Sequence, residues 1–201
     1  MICGIYLAAG QSQRMGYPKL DIPINGKSLG SISLETSLNS QLDKVIVVVN
    51  QEDPLTWLPS KFLVAQSNCI VKRSKLSNEG QAVSLKAGLK IAQDLQADAV
   101  MVLLADQPFI SQKLLDRLIS IYKIKRPDFI ASSFNGIYRP PIIINSILYP
   151  ELWKLEGDTG ARHIIRNNNQ GIIVKENEEI QFIDVDTPQQ YHYLIKSIRK
   201  C

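Results

Sequence analysis

The sequence has no apolar run near the roughly 20 residues that a membrane-spanning helix needs. Its longest, Ala99 to Ala105, has the length of a buried strand. Met1-Ile2-Cys3-Gly4 carries no basic segment before strand-like residues begin, so no secretory leader is expected. Cysteine is scarce: Cys3, Cys69 and Cys201 are odd in number, widely spaced and without a C-x-x-C pair. Neither of the two histidines, His163 and His192, stands near enough to complete a zinc motif. Both fall in helical segments, where structural or surface roles are expected. This thiol usage suits a reducing, cytoplasmic compartment. Lysine and arginine outnumber aspartate and glutamate by 23 to 19, a net charge of +4. The densest basic group, Lys123, Lys125 and Arg126, reads as a solvated helix end, so neither nucleic acid nor a membrane is expected as a partner. Internal repeats, low-complexity segments and Pro/Gly-rich linkers are also missing.

What the 201 residues do contain is an alternation of strand and helix signals, with 45% hydrophobic and 21% charged residues. A chain of this length buries roughly 70% of its unfolded surface, so residues 1–201 are expected to form one domain without disulfide or metal support. Strands are predicted over Ile2–Ala8, Lys44–Val49, Phe62–Ala65, Cys69–Val71, Ala99–Ala105, Asp128–Ser132, Pro141–Ile144, Gly171–Val174 and Gln181–Val185. Helices are predicted over Ser28–Leu42, Glu79–Leu95, Ser111–Tyr122 and Thr159–Asn167. A last helix starts at a capping box, with Thr187 as cap, Pro188 first and Gln190 third. The alternation implies an α/β fold: a three-layer αβα sandwich around a mostly parallel, Rossmann-like sheet. Ligands of such sheets bind beyond the carboxyl ends of the strands, which selects the loops starting at Ala9, Asn50, Ala105 and Asp184.

The first of these loops reads Leu7-Ala8-Ala9-Gly10-Gln11-Ser12-Gln13-Arg14-Met15-Gly16-Tyr17-Pro18-Lys19. It is not a dinucleotide fingerprint, because Ser12 and Met15 stand where glycines are required. Nor is Gly26-Lys27-Ser28 a Walker A tail, because Asp21 replaces the first glycine. The small residues Ala8, Ala9 and Gly10 still allow close approach of a phosphate to backbone N–H groups. Arg14 adds a bidentate fork and Lys19 a mobile charge. Asp106 follows a fully apolar strand, in the position of a carboxylate that meets a hard cation such as Mg²⁺. Asp184 and Asp186, two residues apart, share one face of an extended segment. Asp186 is the stronger second ligand, since Thr187 already caps the helix. Small residues at the next helix start make Gly80 and Ser84 candidate contacts to a base or ribose.

L-A-A-G-x-S-x-R-M-G-x-P-K resembles the signature of the MobA-like nucleotidyltransferases, closest to the molybdenum cofactor cytidylyltransferases and their purine-catabolism relatives. Ala105-Asp106-Gln107-Pro108 and Asp184-Val185-Asp186-Thr187-Pro188 are similar to two further motifs of that family. The resemblance extends from Ile5 to about Tyr191. It implies transfer of CMP from CTP to a molybdopterin-type cofactor, with release of pyrophosphate. Leu7, Ala8, Ala9, Gly10, Ser12, Arg14 and Lys19 would hold the triphosphate, with Gly80 and Ser84 by the base. Arg14, Lys19 and Asp106 would be catalytic, and Asp106 and Asp186 would hold Mg²⁺ or Mn²⁺. Ala8-Ala9 favours CTP, because the guanylyl branch has a glycine in place of Ala9. Gly157-Asp158-Thr159-Gly160-Ala161-Arg162 resembles an element on the pterin side, assigning Asp158, Gly160 and Arg162 to it. Arg139 stands where the family carries histidine before proline, and also falls on that side. The recipient suggested by the purine relatives is a xanthine-dehydrogenase-type molybdenum enzyme. GTP with molybdopterin, or a sugar or polyol phosphate acceptor, remains an alternative, and a non-catalytic maturation partner is a third.

Overall fold

β-branched and aliphatic residues dominate the strands, so nearly every strand is apolar on both faces and must be covered on both. The computed structural model describes residues 1–10, 12, 14–64, 67–75, 80–166 and 168–198, the last two by their backbone only. β1 (Ile2–Ala8) is followed by a short hairpin, β2 (Pro23–Ile24) and β3 (Lys27–Ser28). β4 (Lys44–Asn50), β5 (Cys69–Ser74), β6 (Ala99–Leu104), β7 (Phe129–Phe134), β8 (Ile137–Asn145) and β9 (Gly171–Lys175) complete the set. With β1 they form a seven-stranded sheet in the order β5-β4-β1-β6-β8-β7-β9. Only β8 runs against the others. The parallel registers run from Cys3↔Lys44 to Ala8↔Val49 and from Ile2↔Ala99 to Leu7↔Leu104. The ends of β1, β4 and β6 therefore open together at one sheet edge.

The helices are α1 (Leu29–Leu38), α2 (Gln81–Asp94), α3 (Gln112–Lys125), α4 (Tyr149–Trp153), α5 (Ala161–Arg166) and α6 (Pro188–Ile198). Alternation along each strand divides the core in two. Tyr6, Val45, Val47, Met101 and Leu103 pack with Leu34 of α1, Leu115 and Leu118 of α3 and Leu194 of α6. Ile5, Ile46, Val48, Val100 and Val102 pack with Leu85 and Leu89 of α2, Leu152 of α4 and Ile164 of α5. This is the three-layer arrangement predicted from the alternation. Among the described residues, no helix is long and apolar enough to cross a membrane.

Ser111 caps α3, its Oγ accepting from the Leu114 N–H at 3.2 Å. At α6 the Gln190 N–H donates to Thr187 Oγ1 at 3.2 Å. The return bond shifts by one residue, from the Asp186 N–H to Gln190 Oε1 at 2.9 Å. Two predicted strands are corrected. Ser60–Phe62 is a 3-10 turn, closed by the Leu63 N–H on the Ser60 carbonyl and followed by the half-exposed Leu63 and Val64; Ala65 lies outside the described residues. Glu179–Phe182 is likewise a 3-10 turn, held to the start of α3 by bonds from the Ser111 N–H and Oγ–H to Gln181 Oε1. The helix predicted to end at Leu42 stops at Leu38, and Ser28 belongs to the hairpin. α2 is described from Gln81, and Glu79 lies outside the described residues, as does Asn167 at the predicted end of α5.

Candidate functional site

β1 delivers the buried Ala8 and Ala9 to the sheet edge, where the chain turns into the loop ending at Lys19. Ser12 holds this loop twice: its carbonyl accepts from the Met15 N–H at 3.0 Å, and its Oγ accepts from the Lys19 N–H at 3.2 Å. Gln11 and Gln13 lie outside the described residues. Pro18 leads into a single 3-10 turn, Lys19–Asp21, that aims the Lys19 side chain back under the loop. There Lys19 is only 8% exposed.

The Lys19 ammonium donates to Asp106 Oδ2 at 2.8 Å and to Asp186 Oδ1 at 2.7 Å. Burial works against its charge, but Asp106 and Asp186 outweigh it, and the pKa stands above the ordinary lysine value. Arg14 donates from Nη2 to the other oxygen of Asp186, Oδ2, at 2.8 Å, with its side chain 71% exposed. The segments carrying the two carboxylates are themselves joined, since the Val185 N–H donates to the Asp106 carbonyl at 2.9 Å. Asp106 Oδ1 is buried with no hydrogen-bond partner among the described residues. A hard dication that takes one or two carboxylates, with phosphate oxygens and water completing its shell, fits this donor set. Three or more acidic, cysteine or histidine ligands do not cluster anywhere among the described residues.

These groups line a cleft of about 690 Å³ that also gathers Leu7, Ala8, Ala9, Gly10 and Ser12 from the loop, Gly80 and Ser84 from the α2 end, and Asp158 and Arg162. Of the residues predicted for the site, Gly160 and Arg139 do not line it. Gly160 has a packing reason instead, because a Cβ there would fall 2.4 Å from Gln81 Oε1. Gly80 takes φ +113°, and a Cβ on it would fall 2.3 Å from the Gly157 carbonyl. The Ala82 N–H donates to that same carbonyl at 3.0 Å. The start of α2 and the 156–160 turn are thus one packed unit, which places Asp158 and Arg162 opposite the β1 loop. The hydroxyl of Thr159 closes the turn onto Glu156, donating to its carbonyl and accepting from its N–H.

Arg139 approaches from β8, with Nη1 3.9 Å from Asp184 Oδ2. Asp184 turns its other oxygen to Gln107, whose Nε2 donates at 2.8 Å. Burial, then the nearby Asp106 and Asp186, push the Asp184 carboxyl above its ordinary value, against the opposing pull of Gln107 and Arg139. Gln107 is 1% exposed, and its Oε1, like Arg139 Nε, has no partner among the described residues. Sequence reasoning missed Gln107 and Gln81, because a glutamine carries no charge to mark it. The only signal was the place of Gln107 beside Asp106.

The sequence pattern of the MobA-like NTP transferase domain matches residues 4–172. The purine catabolism protein PucB of Bacillus subtilis (strain 168) is 34% identical over 195 residues, covering 94% of each chain. A molybdenum cofactor guanylyltransferase of Rhodobacter capsulatus is 31% identical over 117 residues, 58% of this chain and 57% of that one. Among solved structures, Rv0371c from Mycobacterium tuberculosis H37Rv superposes with a TM-score of 0.80 at 21% identity, covering 98% of each chain. A manganese complex of Rv0371c superposes at 0.74, with 20% identity and 98% of each chain covered.

Proposed function

Because the chain belongs to the MobA-like NTP transferase family and is a nucleotidyltransferase of that kind, we propose that it transfers CMP from CTP to a molybdopterin-type cofactor. The observation that carries this reading is the convergence of Lys19 on Asp106 and Asp186 in the cleft beside the β1 loop. An oxygen of the acceptor phosphate attacks the α-phosphorus in line, and the bond to the leaving pyrophosphate breaks. No covalent enzyme intermediate is needed, so catalysis is positioning and charge stabilisation. Loop N–H groups around Gly10 and Ser12 receive the triphosphate. Lys19 and Arg14 meet the negative charge that spreads over its oxygens. Gly80 and Ser84 border the base, and the acceptor enters from the side of Asp158, Arg162 and Arg139.

Asp106 and Asp186 would hold a divalent ion, Mg²⁺ or Mn²⁺, which when bound neutralises phosphate charge and orients the reacting oxygens. The buried, unpartnered Asp106 Oδ1 supports that reading, as does the manganese complex of a protein of the same fold. For the nucleotide, Ala8-Ala9 supports CTP. GTP is the second reading, because relatives matching over more than half of this chain are named guanylyltransferases. The name of the purine-catabolism relative supports a xanthine-dehydrogenase-type enzyme as recipient of the product. Pyrophosphate release with isolated molybdopterin, Mg²⁺ and either CTP or GTP tests the whole reading. Faster release with CTP is expected. Faster release with GTP overturns the nucleotide assignment, and no release with either overturns the acceptor.

A further inference from the structure

We propose that Lys19 is the site's own placeholder cation: its ammonium fills the divalent-ion position until nucleotide phosphates draw it away. The inference rests on the reading that Asp106 and Asp186 hold the ion. It adds that the free ion is kept out and enters only with the nucleotide.

Geometry comes first. The Lys19 Nζ takes one oxygen of each carboxylate, Asp106 Oδ2 at 2.8 Å and Asp186 Oδ1 at 2.7 Å. A Mg²⁺ ion binds carboxylate oxygens at about 2.0–2.1 Å. An ion shared by these two oxygens would therefore lie against the ammonium, where two like charges repel strongly. An ion bound through the unpartnered Asp106 Oδ1 would still need an Asp186 oxygen, of which Lys19 holds one and Arg14 the other. Lys19 must leave before such an ion can settle. Its side chain is 10% exposed, so a retreat leaves the ammonium needing a new anionic partner near the cleft. The β1 loop, where a triphosphate would lie, is the place for one. Lys19 is already tethered there through its N–H bond to Ser12 Oγ.

Charge balance points the same way. Asp106 and Asp186 carry two negative charges, and Lys19 with Arg14 carries two positive ones. A dication entering alone would add two positive charges to this already neutral quartet, beside which Asp158 and Asp184 face only Arg162 in the cleft lining. Phosphates arriving with it offset that excess and give the ammonium its new partner. Arg14 cannot play the same part. It touches the outer oxygen of Asp186, and its largely exposed side chain can swing into water without unburying anything.

Binding of Mn²⁺ alone separates the possibilities, read from the electron paramagnetic resonance of the free ion and with no turnover required. Wild type, Lys19→Met, Arg14→Met and the double variant Lys19→Met/Asp186→Asn are titrated without nucleotide. Lys19→Met is expected to bind Mn²⁺ at least about 10-fold more tightly than wild type. Arg14→Met removes the same charge from the same carboxylate and is expected to gain less than about 3-fold. The double variant should lose the gain. Equal affinity of wild type and Lys19→Met, or equal gains in the two single variants, overturns the placeholder. Should Lys19→Met fail to melt cooperatively, Lys19→Gln replaces it, with the same outcomes. A parallel titration with non-hydrolysable CTP and GTP analogues keeps the two readings apart. Failure of every form to bind nucleotide sinks the proposed function, while the Mn²⁺ comparison still decides the role of Lys19.

Discussion

On the β1 side of the cleft, Lys19, Arg14, Asp106 and Asp186 meet at 2.7–2.8 Å, and each charge has an opposite partner. Beside them, Arg139 of β8 stands 3.9 Å from Asp184, while Arg139 Nε and Gln107 Oε1 are buried without partners among the described residues. The first region is self-neutralised before any substrate arrives, though Asp106 Oδ1 is left without a partner among the described residues. The second is held by one short bond, from Gln107 to Asp184, and leaves hydrogen-bonding capacity unspent. Chemistry common to all triphosphates demands the first arrangement, because the same phosphate oxygens must be met each time. On the proposed reading Arg139 faces the acceptor, and the looser constellation leaves polar groups free to meet it.

The comparison breaks most completely at Asp106. Asp106→Asn keeps the shape and removes the charge that Lys19 meets and that the proposed metal ion would need. Turnover in a pyrophosphate-release assay at saturating substrates should fall by about 10²–10³-fold, the usual loss when one stabilising group of a transition state is removed. Full Mg²⁺-dependent turnover would instead move the chemistry elsewhere in the cleft. Gly80→Ala strikes a third part of the cleft, the joint between the α2 start and the turn that carries Asp158. Its Cβ would meet the Gly157 carbonyl at 2.3 Å and hold a left-handed φ, so the α2 start and the 156–160 turn must separate. A loss of about 1–3 kcal/mol in stability is expected. Chemical denaturation measures it, and an unchanged midpoint would show that the two segments move independently.

Most of the first region was legible in the sequence, and less of the second, for physical reasons. Asp106 could be read because a charged residue ends a fully apolar strand, and Lys19 and Arg14 because the β1 loop is otherwise small and polar. The spacing of Asp184 and Asp186 placed both on one face, and both line the cleft. It could not show that Asp184 is claimed by Gln107, since that bond depends on a glutamine 77 residues away. Nor could composition show that β8 runs antiparallel, which brings Arg139 towards the carboxyl end of β6. The apolar run at Phe62–Ala65 misled because so short a run does not set a strand by itself: Ser60–Phe62 closes into a 3-10 turn and Leu63 and Val64 stay half-exposed. Gly160 read as a ligand contact and serves as clearance for Gln81.

Arg139→Ala tests whether the looser side reads the acceptor. The Michaelis constant for the acceptor should rise about 10-fold, as expected for losing one charge-assisted contact. The constant for the nucleotide should stay put, since Arg139 does not touch the β1 side. Equal changes in both constants would make the two sides one unit. Partial recovery in Arg139→His at low pH would show that a cation is what the position requires.

The smallest effect is expected at Asp184, and its sign carries the argument. Burial and the neighbouring carboxylates raise its folded pKa above the ordinary value. The fold therefore binds this proton more tightly than the unfolded chain does, and stability falls as pH rises through the interval between the two values. At neutral pH the cost of ionising Asp184 is in force, and below about pH 4, the ordinary carboxylate range, it is absent. Asp184→Asn removes that cost and can still accept from Gln107 Nε2. Its melting temperature should exceed that of wild type at pH 7, with the advantage shrinking as the pH approaches 4. A lower melting temperature at pH 7 would mean that the attraction of Arg139, though drawn out to 3.9 Å, outweighs the burial of the carboxylate, and the second region would then be as tightly neutralised as the first.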